Sequence, residues 1–385
     1  MKRNEKTRYK QLQKRKLSEM AVRDSRQFWN TIKAQYARQT ESGELPSIDH
    51  LYRHFESLLS GEAIESMNLD ETESHNQLME DEILDKDITL EELTAAVSSL
   101  KNNKSCGNDG LAAEIYKSYF NNCSQFLLNY FNVLLHKGLY PHLWGEGIIC
   151  PILKGGDSSD PRNCRGVTLI KVAAKIYSNI LNERLTKWTN REKNIIHNQF
   201  GFQAGRSTTD CVFLLHSVIA KTLSSGQKIY SIFVDLEKCY DRVNRGFLWR
   251  KLSEMHVSAK FIKALKAMYS NIKQCVRRNN EMSDFFNSNI GLKQGDSCSS
   301  LLYLLFSNDI LNYLNSNIDG LFTVNGIKLF LILFDDAVLF AKTPKALQSL
   351  VRDFEQYCQE WGLRINVHKT KVMVFERGRN TQCEI

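Results

Sequence analysis

Residues 329–341 read LFLILFDDAVLFA: six apolar residues, two adjacent aspartates, then five apolar or small residues. Apolar runs of this length, with no polar alternation, belong to strands buried on both faces. The two-residue step between them predicts a hairpin. Tight hairpin turns favour Asn-Gly or Asp-Gly, because glycine takes φ > 0 at little cost. Asp335-Asp336 supplies no glycine and sets two like charges side by side. A cationic partner for these carboxylates is therefore expected.

A second buried strand, IYSIFVDL (229–236), ends on Asp235. If the two strands are neighbours, three carboxylates meet at one sheet edge. Hard oxygen ligands of this kind suit Mg²⁺, which keeps several waters and takes one or two carboxylates plus substrate phosphates. Two such ions about 4 Å apart can activate an attacking oxygen and stabilise a leaving one in phosphoryl transfer. The bland alternative is an aspartate capping the next helix and an Asp-Asp surface turn. These residues alone leave both open.

The remaining chain predicts an α+β fold. Thr89-Leu-Glu-Glu92 has the capping-box pattern that opens a helix through Leu100. Further helices are expected over 111–137, 167–188, from Asp235 to about 268, over 300–314 and over 344–361, with extended chain at 283–290 and after residue 362. With 385 residues, 42% apolar and 24% charged, the chain can build a sizeable core. No apolar stretch approaches the roughly 18 residues of a membrane span, and the N-terminus lacks a signal-peptide core. The ten cysteines include no C-x-x-C pair and suggest no zinc site.

The net charge of +8 is uneven: residues 1–39 carry +9 and residues 62–92 carry −11. The expected organisation is a basic helical arm (1–60), an acidic linker (61–88), a region over 89–225 and a second over 226–385. A basic arm suits a polyanionic partner, because neutralised phosphates release counterions. It equally suits a solvated helical arm, and charge alone does not separate the two.

Seven segments stand in a telling order: NNKSCGNDG (102–110), PILKGGDSSDPRNCRGVTLI (151–170), NQFGFQAGRSTTD (198–210), FVDLEKCYDRV (233–243), GLKQGDSCSSLLYLLF (291–306), LFDDAVLFA (333–341) and GLRINVHKTK (362–371). Together they resemble the reverse transcriptase domain of non-LTR, LINE-type retrotransposons, and the match covers roughly 88–375. The resemblance implies a right-hand polymerase, with fingers over 89–225 and an antiparallel palm sheet backed by helices over 226–385. A thumb is expected to lie outside the chain, as is the endonuclease. It further implies an RNA template, a DNA primer and dNTPs as partners, no membrane, two Mg²⁺ ions (Mn²⁺ as a substitute), and residence in nucleus or cytoplasm.

Carried over by position, Asp235 and Asp335 would be the ligands of both metals, with Asp336, a further candidate ligand, close by. Lys154 and Arg165 would grip the triphosphate, and Tyr240 would lie under the incoming sugar and exclude a ribose 2′-hydroxyl. Gln294 and Gly295 would meet the nucleotide, and Lys369 would protonate or neutralise departing pyrophosphate. Arg206, ahead of a Ser/Thr cluster, would hold template phosphate, a place that a simply capped helix also explains. Phe334 would lie at the primer end.

The sequence departs from the family pattern in places. Leu333-Phe334 precede the aspartates where Tyr or Phe and then Ala are usual, Ser297 and Ser300 replace prolines, Cys239 an alanine, and Gln203 an arginine. These departures define the alternative: a silent reverse-transcriptase-like domain that only binds RNA or protein.

Overall fold

A computed structural model of the chain describes residues 45–61, 80–193, 195–196, 199–203, 205–314, 321–324, 327–329, 331–333 and 336–377. The N-terminal arm up to residue 44 and most of the acidic stretch lie outside them. Helices α1 (Ile48–Leu59), α2 (Leu90–Ser98), α3 (Ala113–Ser118) and α4 (Phe120–Lys137) lead to strands β1 (Glu146–Leu153) and β2 (Cys164–Leu169). Helices α5 (Val172–Glu192) and α6 (Thr208–Ser224) precede β3 (Ile229–Val234), and α7 (Cys239–Arg242), α8 (Arg245–Glu254) and α9 (Ala259–Tyr269) follow it. Next come β4 (Lys273–Arg278), β5 (Glu281–Met282), β6 (Phe286–Asn287), α10 (Cys298–Phe306) and α11 (Ile310–Tyr313). The last elements are β7 (Phe322–Val324), β8 (Ile327–Leu329), β9 (Leu331–Leu333), β10 (Ala337–Ala341), α12 (Pro344–Glu360) and β11 (Lys371–Phe375). The fold is mixed α+β.

Element boundaries differ from expectation in places. The single helix expected after Asp235 is three, because Asn244 and Ser258 each accept a hydrogen bond from an N–H of the following turn and restart the helix. The helix expected from residue 167 begins at Val172, and the preceding residues 164–169 form β2. Thr89 and Glu92 do form the capping box. Glu92 has a second task, since both its oxygens accept from buried Arg184 at 2.7 Å.

The described residues fall into two compact units, one containing Leu153–Cys164 and the other Ser47–Ile152 with the chain from Arg165 onward. The smaller is a turn closed by Lys154 N–H donating to the Asn163 carbonyl at 3.0 Å. Within it, Asp157 accepts from the Ser159 N–H and hydroxyl.

The larger unit contains a four-stranded antiparallel sheet of order β11-β3-β10-β9. A second sheet has the order β2-β1-β4-β5, with β6 also paired to β4, and β7–β8 form a separate ribbon. The apolar sequence of β10 follows from its surroundings. Leu339 and Ala341 join the main core, to which α12 contributes Leu347, Leu350, Phe354 and Tyr357. Phe340 points into a second cluster with Ile229, Phe322 and Val218 of α6. Both faces are covered, so neither face of β10 needs a polar residue. Helix α10 is buried all round, as CSSLLYLLF predicts.

Candidate active site

The register of β3 and β10 decides where the carboxylates go. Ala337 pairs with Val234 in antiparallel sense. The next residues outward are therefore Asp336 and Asp235, at the same end of adjacent strands. Asp336 is exposed and Asp235 half-buried. Phe334 and Asp335 lie outside the described residues.

On its other side β3 pairs with β11, and the turn before β11 grips the backbone of Asp235. Asn366 N–H donates to the Asp235 carbonyl at 2.8 Å, and Asp235 N–H donates to Thr370 Oγ1 at 3.4 Å. Glu237 N–H donates to the Arg364 carbonyl at 2.8 Å. Lys369, exposed, belongs to the same turn, with its N–H on the Asn366 carbonyl at 3.2 Å. Two guanidinium groups neighbour this turn. Burial lowers the pKa of Arg242, and the nearby positive charge of Arg364 lowers it further.

Tyr240 stands on the one-turn helix α7. Its ring stacks on that of Tyr303 at a centroid distance of 4.9 Å and meets Phe202 edge-on at 6.1 Å. Burial pushes the Tyr303 hydroxyl well above its ordinary pKa, so that ring is a neutral backing plate. Tyr240 also anchors the loop carrying Gln294, since its carbonyl accepts from Leu292 N–H at 2.8 Å.

Buried Arg245 secures the approach to that loop by donating to the carbonyls of Gly291, Ser288 and Ile290 at 2.8–2.9 Å. Burial brings its pKa down to about 10. The Gln294 carbonyl then accepts from Thr168 N–H of β2 at 2.7 Å. Arg165, exposed, is three residues earlier on the same strand. Helix α1 supports β2 from beneath, and a Cβ on Gly166 would stand 2.7 Å from the Phe55 ring.

The sequence-derived candidates thus divide. Asp235 and Asp336 share a sheet end, Lys369 lies in the turn that holds Asp235, and Tyr240, Gln294 and Gly295 form one stitched unit to which β2 brings the strand of Arg165. Lys154 is exposed within the smaller unit. Arg206 has intramolecular partners: its guanidinium donates to the Gln199 carbonyl at 3.1 Å and lies 4.9 Å over the Phe200 ring. After it, Asp210 accepts from the Ser207 N–H and hydroxyl and caps α6.

Sequence reasoning missed the structural roles of Asn366, Thr370, Tyr303, Phe202 and Thr168. Asn366 and Thr370 carried a signal as the short polar residues of a turn before a strand. Tyr303 carried none, being one apolar position among many in α10.

Among the described residues, no three His, Cys, Asp or Glu side chains are grouped to hold a metal ion. Asp235 and Asp336 nonetheless offer hard carboxylate oxygens, the donors that Mg²⁺ and Mn²⁺ take. They fit such an ion as a pair that substrate and water oxygens would complete.

Comparison with known proteins decides the family. The family model described as reverse transcriptase (RNA-dependent DNA polymerase) matches residues 152–384, more than half of the chain. The chain belongs to the reverse transcriptase family. Its similarity to retrotransposon proteins is wide but distant. A probable RNA-directed DNA polymerase from transposon BS of Drosophila melanogaster is 25% identical over 74% of this chain and 32% of its own length. The RNA-directed DNA polymerase from mobile element jockey of Drosophila funebris is 25% identical over 85% of this chain and 36% of its own length. The Pol polyprotein from the type-2 retrotransposable element R2DM is 24% identical over 77% of this chain. The chain therefore spans about a third of the length of the curated relatives it matches. A solved apo telomerase from Candida tropicalis superposes on 70% of this chain and 57% of its own, with a TM-score of 0.45 and 15% identity.

Proposed function

We propose that this chain carries the polymerising site of a non-LTR retrotransposon reverse transcriptase, with the β11-β3-β10-β9 sheet as its palm and the β2–β1 region as part of its fingers. The observation that carries the proposal is the pairing of Ala337 with Val234, which brings Asp336 and Asp235 to one sheet end. In the reaction, the primer 3′-oxygen bonds to the α-phosphorus of a dNTP while the bond to the pyrophosphate oxygen breaks. Asp235, Asp336 and Asp335 would hold magnesium, which would supply activation of the attacking oxygen and charge stabilisation on the leaving one.

The chain's own residues do the rest. Asn366 and Thr370 fix the backbone that presents Asp235. The Tyr240 ring, backed by Tyr303, forms a flat floor for a deoxyribose, where one added 2′-oxygen would clash. Arg165 offers charge-assisted hydrogen bonds to the phosphates. Lys369 provides a proton or positive charge for the pyrophosphate as it leaves.

The test is primer extension on an RNA template with Mg²⁺, comparing the unaltered chain, Asp235→Asn, and the chain with one alanine inserted after Phe334. Extension by the unaltered chain and its loss in Asp235→Asn supports the proposal. Extension only after the insertion identifies a copy damaged by the loss of one alanine ahead of the aspartates, a loss that shifts strand register. RNA binding without extension by any of the three supports the silent alternative.

A further inference from the structure

We infer that Asp241 is a positioning residue for nucleotide selection, acting through the side chain of Gln294. The inference rests on the polymerase reading above for its functional consequence. Gln294 Nε2 donates to Asp241 Oδ1 at 3.0 Å. A carboxylate oxygen accepts and does not donate, so only the NH₂ end of the Gln294 amide can face it. Asp241 thereby fixes which way the amide is turned and directs Oε1 away, leaving an acceptor to meet a donor on the incoming nucleotide.

The surroundings show why this single contact matters. The Gln294 main chain is already held by Thr168 N–H on its carbonyl at 2.7 Å. Two residues before it, Leu292 N–H is bonded to the Tyr240 carbonyl, and Gly291 N–H to the Val243 carbonyl at 2.9 Å. Backbone ties thus fix the loop to the segment 240–243, while the long Gln294 side chain keeps its own rotatable bonds. Ordering such a side chain carries an entropic cost that binding would otherwise meet. Asp241 orders it in advance, from the residue next to Tyr240. The floor under the sugar and the amide beside it are therefore placed by neighbouring residues of one helical turn.

The experiment uses the full chain with Asp241→Ala, Asp241→Asn, Gln294→Ala and the Asp241→Ala/Gln294→Ala double variant. One measurement is KM and kcat for a dNTP in RNA-templated primer extension. The other is the side-chain amide resonance of Gln294 in ¹⁵N-labelled protein. Asp241→Ala is expected to raise KM roughly tenfold, the effect of losing one charge-assisted hydrogen bond, with a smaller change in kcat. The double variant is expected to match Gln294→Ala. Asp241→Asn, which keeps an acceptor oxygen, is expected to restore most of the loss. The Gln294 amide signal should move in Asp241→Ala and hold in Asp241→Asn.

Multiplying effects in the double variant, or an amide signal indifferent to Asp241→Ala, would overturn the inference. No extension by either the unaltered chain or the chain with the alanine insertion, with the Asp241-dependent amide signal present, would overturn the polymerase reading and leave the clamp on Gln294 standing.

Discussion

Gly295→Ala and Gly155→Ala place the same methyl group at the same positive φ in different surroundings. Both glycines have φ of +137°, a region that costs other residues about 1–3 kcal/mol. A Cβ on Gly155 would meet nothing within 4 Å, whereas one on Gly295 would lie 2.4 Å from the Thr168 carbonyl oxygen. Ordinary contact begins near 3.4 Å, so the two must separate by about 1 Å. That separation weakens the Thr168–Gln294 hydrogen bond, about 1 kcal/mol, and strains the surrounding packing by about 1–3 kcal/mol. Gly295→Ala should therefore destabilise by about 3–7 kcal/mol and Gly155→Ala by about 1–3 kcal/mol. Guanidinium denaturation of the two variants measures the difference. Equal losses would refute the claim that β2 and the Gln294 loop touch at a point where only glycine fits.

Four further outcomes are expected. Tyr240→Ala should raise ribonucleotide incorporation relative to deoxyribonucleotide, measured as the ratio of kcat/KM values; an unchanged ratio removes Tyr240 from sugar selection. Lys251 donates to Asp309 at 2.6 Å and Tyr357 at 3.0 Å and lies 3.7 Å over the Trp361 ring. Asp309→Ala should cost about 3 kcal/mol by leaving a buried cation without its counter-charge, and Lys251→Met far less. Burial brings the Lys251 pKa down to about 8, below the ordinary value of about 10.4. The unfolded chain thus binds more protons in between, and this group should make stability rise from pH 8 towards 10, a rise that Lys251→Met abolishes. Burial raises the Glu92 pKa, but hydrogen bonds from Arg184 and the Thr89 N–H outweigh it and the net shift is downward. Its contribution is therefore present above the ordinary glutamate value and lost as pH falls through the lower folded one, so Glu92→Gln should flatten the acid limb of the stability curve.

The ends of the two acidic strands were legible because buried strands betray themselves by unbroken apolar runs, and charge at their ends has few structural uses. The neighbour relation of β3 and β10 was a conditional expectation, since pairing across about 100 residues leaves no local trace. The resemblance supplied candidates such as Tyr240 and Gln294, but not what holds them. Tyr303 supports Tyr240 from a helix whose sequence is apolar throughout, so nothing marks that ring apart from its neighbours. Asp241 reads as an ordinary surface acid beside Arg242, and only the folded loop shows that Gln294 reaches it. The helix predicted over 167–188 starts five residues late because GVTLI fits a strand as well as a helix, and pairing within the sheet decides between them.

The most direct measurement is the anomalous scattering of Mn²⁺ in crystals of the chain with an RNA–DNA primer duplex and a nonreactive dNTP analogue. The account predicts a peak within about 2.3 Å of carboxylate oxygens from both Asp235 and Asp336, absent in Asp235→Asn. Manganese bound elsewhere, or by one of these residues without the other, would contradict it.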